Sequence, residues 1–247
     1  MHTLNTRGKM EISEVVELLG VSESTSRRML IRLEAKGEIV RTIGGVMLAP
    51  DNPLAYSFEK LNRRNIEEKV RIGALAAGLI EPGDIVYFDS GTTTAQICAA
   101  LVKRMDDVLR GSLTVFTNSL VNLNILAPVC AVHLVGGKYR SERQDFCDFL
   151  AEEAIKLVNF TKCFVGADGF VYPSGFTTND FVTASLDQLV LQRSKRKIVA
   201  ADSTKYRRVS LVTHAKLDEI DCVVTDGNIP DEIKAALLAR DIDVLIC

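Results

Sequence analysis

An α/β fold carrying a small separate N-terminal segment follows from three observations. From about residue 85 to the C-terminus, short apolar runs alternate with stretches of helical period. That alternation is the sequence form of parallel strands joined by crossover helices. The runs are nearly continuous in apolar residues, as in Ile85-Val86-Tyr87-Phe88, the pattern of strands covered on both faces. Finally, Ala49-Pro50-Asp51-Asn52-Pro53 sets two prolines where helix and central strand are both disfavoured. The break divides the chain into a head over residues 1–50, a linker and hinge over 51–68, and a large domain over 69–247. The head alone is too short to bury a deep core.

Within the head, Ile12, Val15, Val16 and Leu19 recur at helical spacing until Gly20-Val21-Ser22 breaks the pattern. Ser22 is a strong N-cap, so a second helix runs from there to Leu33. Gly37 ends the turn that follows, and residues 39–47 read as a β-hairpin with Gly44-Gly45 near its turn. Helix, turn, helix and hairpin together describe a winged helix-turn-helix. Ser26, Leu30 and Leu33 share one helical face, and Arg28 and Arg32 share another. Ser24, Thr25 and Arg28 crowd the first turns, where a recognition helix meets base edges and phosphates. An ordinary solvated helix also carries surface arginines; cap, hairpin and N-terminal position together point to DNA. The expected contact set is Ser22, Ser24, Thr25, Ser26, Arg27, Arg28, Arg32 and the wing residue Arg41.

In the large domain, strands are predicted over 85–89, 113–117, 132–135, 163–166, 198–201, 222–225 and 244–246. Helices are predicted after Gly91, with Cys98, Leu101, Val102 and Met105 on one face, over 151–158 and 181–192, and from Pro230 to Arg240. Asp89-Ser90-Gly91-Thr92-Thr93-Thr94 joins a strand to a helix. Its glycine permits close backbone approach, its hydroxyls donate, and the helix N-terminus offers unpaired N–H groups, a natural seat for phosphate. A Thr-rich cap without any ligand is the plainer alternative for this stretch taken alone.

Four further strand ends carry polar loops: Thr117-Asn118-Ser119, Gly136-Gly137-Lys138-Tyr139-Arg140, Gly166-Ala167-Asp168-Gly169 and Asp202-Ser203-Thr204-Lys205. Ligands of open α/β sheets sit at that edge. The expected pocket is Asp89, Ser90, Gly91, Thr92, Thr93, Asn118, Ser119, Gly136, Gly137, Arg140, Asp168, Gly169 and Lys205. Lys205 and Arg140 are the phosphate partners expected there, and Asp89, Asp168 and Asn118 the hydroxyl partners.

Composition narrows the function classes. The net charge is −2, with 47% hydrophobic and 25% charged residues, which excludes a globally basic nucleic-acid binder and argues against disorder. Residues 1–64 carry 10 Lys/Arg against 8 Asp/Glu, the remainder 20 against 24, so DNA contact must come from a local cluster. Cysteines 98, 130, 147, 163, 222 and 247 form no C-x-x-C pair and read as buried free thiols. His2, His133 and His214 share no ligand spacing, so no metal or cofactor is expected. The first residues lack the apolar core of a secretory signal, and no run approaches the ~20 residues of a membrane helix. A cytoplasmic protein is the expectation.

The stretch Val21-Ser22-Glu23-Ser24-Thr25-Ser26-Arg27-Arg28-Met29-Leu30, followed by Leu33-Glu34 and Ile43-Gly44-Gly45-Val46, resembles the helix-turn-helix of the DeoR family of bacterial transcription regulators. Glu68-Lys69, Asp89-Ser90-Gly91-Thr92-Thr93, Thr117-Asn118-Ser119-Leu120, Gly136-Gly137-Lys138-Tyr139-Arg140, Gly166-Ala167-Asp168-Gly169, Gly175-Phe176-Thr177-Thr178 and Asp202-Ser203-Thr204-Lys205-Tyr206 fall in the order of that family's effector domain. The resemblance implies repression of a carbohydrate-metabolism operon, tuned by a phosphorylated sugar, by a homo-oligomer on double-stranded operator DNA. It also implies an effector domain similar in fold to ribose-5-phosphate isomerase. Two positions depart from the family: Ser26 where isoleucine is usual, and Met29 where aspartate is. Only residues 1–7 precede the segment at Gly8-Lys9, where the family carries a full helix, so the head is expected to lack its first helix.

Two alternatives stay open. One is a sugar-phosphate-binding protein whose head no longer binds DNA. The other is a sugar-phosphate isomerase-like enzyme. For the latter, Asp180 stands near the position of the catalytic base, but the neighbouring acid and lysine of the isomerase loops are missing, so the protein is expected not to be an enzyme.

Overall fold

The computed structural model describes residues 9–35, 39–42, 44–48 and 57–247. The chain divides into two units, Met1–Tyr56 and Ser57–Cys247. The expected absence of a first helix and the linker residues 51–56 lie outside the described residues.

The first unit runs β1 (Lys9–Glu11), α1 (Ile12–Leu19), α2 (Glu23–Ala35), β2 (Ile39–Thr42) and β3 (Gly45–Leu48). The helical spacing read over 12–19 is α1. Its N-terminus is tied by the Glu11 N–H donating to Glu14 Oε2 at 2.7 Å, and it stops at Gly20, whose φ of 64° is left-handed. Ser22 caps α2, accepting from the Thr25 N–H at 3.3 Å. The strands form an antiparallel sheet ordered β1-β3-β2, so the hairpin gains a third strand that the sequence pattern did not reveal. Gly44 takes the left-handed turn at φ 87°. A Cβ on Gly45 would lie 2.4 Å from the Met10 carbonyl oxygen, so this glycine is what lets β1 close onto β3. Met10, Val15, Leu30, Ile39 and Val46 make the small core, with Ile12 and Leu33 against it.

In the second unit, Ser57 caps α3 (Phe58–Arg63), and α4 (Ile66–Ala77) follows. Residues 58–63 and 66–68, expected in the hinge, are therefore helical and belong to this unit. Strands β4 (Ile85–Phe88), β5 (Thr114–Thr117), β6 (Val132–Leu134), β9 (Phe160–Val165), β12 (Ser194–Ala200), β14 (Cys222–Thr225) and β15 (Asp243–Ile246) build one seven-stranded sheet. Every pairing in it is parallel. The order is β15-β14-β12-β9-β4-β5-β6.

Alternation along each strand feeds two cores. Val86, Phe88, Val115, Phe164, Ile198 and Val224 pack under α4, α5 (Thr92–Arg104) and α7 (Leu120–Leu126). Tyr87, Cys163, Val165, Val199 and Val223 pack against α8 (Phe149–Lys156), α9 (Phe181–Gln192) and α10 (Asp231–Leu238). Both faces are covered, as the continuous apolar runs require.

Two small antiparallel sheets decorate this frame. One joins β10 (Gly169–Val171), β11 (Gly175–Thr178) and β13 (Val212–Lys216); the other pairs β7 (Tyr139–Arg140) with β8 (Asp145–Phe146). The remaining helix, α6 (Asp107–Ser112), leads into β5.

The strand order locates the site. From β4 the chain builds outward through β5 and β6, then returns to the other side of β4 and builds β9, β12, β14 and β15. The direction of winding reverses between β4 and β9, and a crevice opens at the carboxyl ends of those two strands. The loops entering it begin at Asp89 and Gly166.

Candidate ligand cleft and nucleic-acid surface

Asp89 closes the end of β4. Its carboxylate accepts from the Gly91 N–H at 2.8 Å, from the Gly166 N–H at 2.6 Å, and from the Thr94 hydroxyl. It thus staples the two loops of the reversal point together. Burial and the neighbouring Asp168 push its pKa up, while the three donors pull against them. Asp89, expected to receive sugar hydroxyls, instead spends its lone pairs on the protein. Ser90 is likewise committed, donating to Asp145 Oδ2 at 2.7 Å. What the loop leaves open is the first turn of α5: Gly91 is its N-cap, and the N–H groups of Thr92, Thr93 and Thr94 have no carbonyl one turn earlier. The hydroxyls of Thr92 and Thr93 have no protein partner among the described residues.

A group of cations stands beside that turn. Gly73 of α4 lies against α5, where a Cβ would meet the Gln96 carbonyl at 2.6 Å. Both helices run away from the carboxyl edge, so one turn back Lys69 comes level with Thr92. Lys69 is 3% exposed, and its Nζ donates to the Leu61 carbonyl at 2.6 Å. That is one acceptor for three donors. Burial first, then Lys205 and Arg64, lower its pKa to about 8, with Asp202 opposing them.

Lys205 Nζ stands 4.0 Å from Asp202 Oδ2, an oxygen sealed from solvent with no hydrogen-bond partner, while Asp202 Oδ1 accepts from Asn65 at 3.0 Å. The sequence pattern marks Lys205 as a site residue, whereas Lys69 enters only through the Glu68-Lys69 motif. The available signal was a lysine on the same buried stripe as Ile72, Gly73 and Ala76.

The loops after β5 and β6 are locked into one another. Arg140 donates to Asp145 at 2.8 and 2.7 Å, to Asp180 at 2.9 Å and to Thr183 at 3.0 Å. Its guanidinium is a brace, not the open phosphate partner expected. Burial acts to raise the pKa of Asp180, but the Thr183 amide, Arg143 and Arg140 outweigh it and hold the carboxyl below the ordinary range. An ion-paired carboxylate with a lowered pKa is a poor general base.

Asn118 accepts from Tyr87 at 3.0 Å and donates to the Phe146 carbonyl, and buried Ser119 caps α7. Gly136 is exposed; Gly137, at φ 144°, makes room for Asp148, whose carboxylate would lie 2.7 Å from a Cβ. Asp168 accepts from Thr178 and the Asn179 N–H, both at 3.0 Å. Gly169 sits within β10, with the Arg208 carbonyl 2.3 Å from where a Cβ would be. Of the expected pocket, the open groups are Thr92, Thr93, the free oxygen of Asp168, and Lys205.

On the first unit, Ser24, Arg28 and Arg32 are exposed and Thr25 half-buried along α2. Ser22, Ser24 and Thr25 share hydroxyl contacts at 3.0 Å. Arg27 is paired with Glu23 at 2.7 Å, and Arg41 with Glu34 at 2.6 Å. Arg27, Arg41 and Gly44 line a shallow pocket between α2 and the β2–β3 turn. Ser26 is a correction: it is fully buried and its hydroxyl finds no partner, so it cannot touch DNA. Its place on the face of Leu30 had already marked it as an apolar position.

Residues 1–51 match the DeoR-like helix-turn-helix domain, and residues 64–227 match the DeoR C-terminal sensor domain. The chain belongs to the DeoR family. Among curated relatives, the lactose phosphotransferase system repressor of Streptococcus mutans is 31% identical over 94% of this chain and 91% of its own length. That of Lactococcus lactis is 33% identical over 92% and 88%. A putative aga operon transcriptional repressor of Escherichia coli O157:H7 is 30% identical over 98% and 90%. Among solved structures, the sorbitol operon regulator SorC of Klebsiella pneumoniae gives a TM-score of 0.43 at 14% identity, covering 92% of this chain and 94% of that one. Ribose-5-phosphate isomerase A of Methanocaldococcus jannaschii gives 0.43 at 13%, covering 57% and 55%.

In this DeoR-family chain, no cluster of His, Cys, Asp or Glu among the described residues could hold a metal ion, and no described helix is long and apolar enough to cross a membrane. All six cysteines are free. Cys98, Cys147, Cys163 and Cys222 are buried as expected, and Cys130 and Cys247 are half-buried. Burial pushes the Cys147 and Cys163 thiols up to about 12, which leaves them protonated and unreactive.

Proposed function

We propose that this DeoR-family protein is an operator-binding repressor of a carbohydrate operon, and that its sensor unit binds a phosphorylated sugar at the β4–β9 crevice. The observation that carries the proposal is Lys69. A buried ammonium with one hydrogen-bond acceptor and cationic neighbours is held at a disadvantage by the fold. A phosphate dianion at the first turn of α5 relieves it. The terminal phosphate oxygens take the N–H groups of Thr92 and Thr93 and the charges of Lys69 and Lys205. The sugar then extends across the crevice toward Asp168.

The names of the relatives, several of them repressors of sugar operons, support the same reading, and transcriptional regulation rather than turnover is what the sensor serves. On the head, Ser24, Thr25, Arg28 and Arg32 face the operator, with Arg27 and Arg41 released from Glu23 and Glu34 on contact with phosphates. The partner is double-stranded DNA, and paired half-sites call for a homo-oligomer.

Two measurements test this. Thermal-shift screening with phosphorylated sugars should raise the melting temperature, as any ligand of the native state does. Gel shifts on DNA upstream of neighbouring genes should give a salt-sensitive, sequence-preferring complex that a hit from the screen modulates. A second reading, a sensor with a silent head, is favoured by the unpartnered hydroxyl of Ser26; ligand binding without any such DNA complex would establish it.

A further inference from the structure

The described residues include six buried aspartates: Asp84, Asp89, Asp145, Asp187, Asp202 and Asp226. Five of them accept at least two hydrogen bonds from the protein. Asp187, on α9, accepts none. It is only 3% exposed, though neither carboxyl oxygen is completely sealed from solvent. His214 Nε2 stands 3.8 Å from Asp187 Oδ2. That ring is already engaged with the Gly166 carbonyl at 3.0 Å, which fixes Nε2 as the protonated nitrogen, because a carbonyl can only accept. Gly166 in turn donates to Asp89. Asp187 therefore lies beneath the reversal point, on the face opposite Lys69, with Asp89, Asp145, Arg140 and Arg143 as its charged surroundings.

We infer that Asp187 is a specificity-determining residue at the floor of the crevice, where it accepts a hydrogen bond from a hydroxyl on the sugar portion of the effector. The inference rests on the phosphorylated-sugar reading and deepens it. The α4–α5 side grips the phosphate, which every such ester shares, and the α9 side reads the hydroxyl pattern, which differs between esters. A carboxyl buried without a donor discriminates sharply, because an ester lacking a hydroxyl there leaves it unanswered.

The test is calorimetric titration of the full chain and its Asp187→Asn, Asp187→Leu and Lys69→Met variants. The probes are inorganic phosphate, glycerol 3-phosphate, ribose 5-phosphate, fructose 6-phosphate and glucose 6-phosphate. The wild type should bind at least one sugar phosphate about tenfold or more tighter than inorganic phosphate. Asp187→Leu should remove that margin, and Asp187→Asn, whose amide oxygen still accepts, should reduce it; both should leave inorganic phosphate binding unchanged, with melting temperatures at or above the wild type. Lys69→Met should weaken every probe.

Sugar-phosphate binding unchanged in both Asp187 variants would overturn the inference and leave the phosphate seat standing. So would an equal loss for all probes with lowered melting temperatures, which marks a structural role. A wild type that binds none of the probes overturns the phosphorylated-sugar reading, and this inference with it.

Discussion

Replacing Lys69 with methionine should make the protein more stable and deaf to phosphate at once. The lowering of the lysine from 10.5 to about 8 corresponds to ~3 kcal/mol of disfavoured charge at neutral pH. Methionine fills the same volume without the charge. The hydrogen bond to the Leu61 carbonyl is lost, but that oxygen keeps the Arg64 N–H at 3.2 Å, so the loss is about 1 kcal/mol. The net gain is ~2 kcal/mol, or roughly 4–8 °C in a unit of this size.

The pH dependence carries a second signature. Between about pH 8 and 10.5 the unfolded chain holds the Lys69 proton and the folded chain does not. The Lys69 contribution to stability therefore rises with pH through that window, so the stability gap between variant and wild type narrows there. Urea unfolding across that range, with and without inorganic phosphate, reads both effects. A variant that melts below the wild type, or that keeps the phosphate-induced shift, would refute the assignment of Lys69 as an under-satisfied anion receptor.

Three other outcomes follow from the same structure. Asp89→Asn should destabilise the sensor unit by about 2–3 kcal/mol, because the amide oxygen can accept from only one of the Gly91 and Gly166 N–H groups and the NH2 opposes the other; an unchanged melting curve would mean the carboxylate is not the staple between the loops. Ser26→Ala should stabilise the head by about 1 kcal/mol by removing a buried, unpartnered hydroxyl, visible as slower amide exchange in α2; faster exchange would show that the hydroxyl has a partner. Arg28→Ala and Arg32→Ala should each weaken operator binding and reduce the slope of log affinity against log salt by about one, and a slope that does not move would remove that side chain from the phosphate contacts.

The frame of the sensor was legible because its physics is local. Val86, Tyr87 and Phe88 alternate between two covered faces, and a run that is apolar on both sides has few other homes. The β10-β11-β13 sheet was not legible. Its strands are three to five residues long, and two carry glycines, Gly169 and Gly175, which look like loop residues until a neighbouring carbonyl is seen within 2.3 Å of each Cβ position. The helices beginning at Phe58 and Ile66 are hidden in sequence because residues 58–68 are rich in charge, and the burial of Phe58 and Lys69 is set by distant elements.

The sequence places the polar loops at the carboxyl ends of the strands, where the structure has them, but not the direction of each side chain. Ser90, Asn118 and Arg140 all have the chemistry to bind a sugar phosphate. Whether they do depends on Asp145 and Tyr87, residues that the fold alone brings to them.

That difficulty suggests where recognition resides on such an edge. A polar side chain whose hydrogen bonds are complete within the protein gains little from a ligand, because each new contact must displace an old one. Asp89, Asp145, Asn118 and Arg140 are of this kind, and they hold the loops in place. Groups left short are different: for them the unligated protein already carries the desolvation, and a complementary ligand recovers it. Lys69 and Asp187 are such groups, of opposite character, on the two sides of the β4–β9 reversal point. Lys69 lacks acceptors on one face of the sheet, and Asp187 lacks donors on the other. A molecule with a dianion at one end and hydroxyls at the other satisfies both, and one lacking either end satisfies only half of the crevice. On the proposed reading, the two deficits define an effector more narrowly than the glycine- and hydroxyl-rich loop at this edge does.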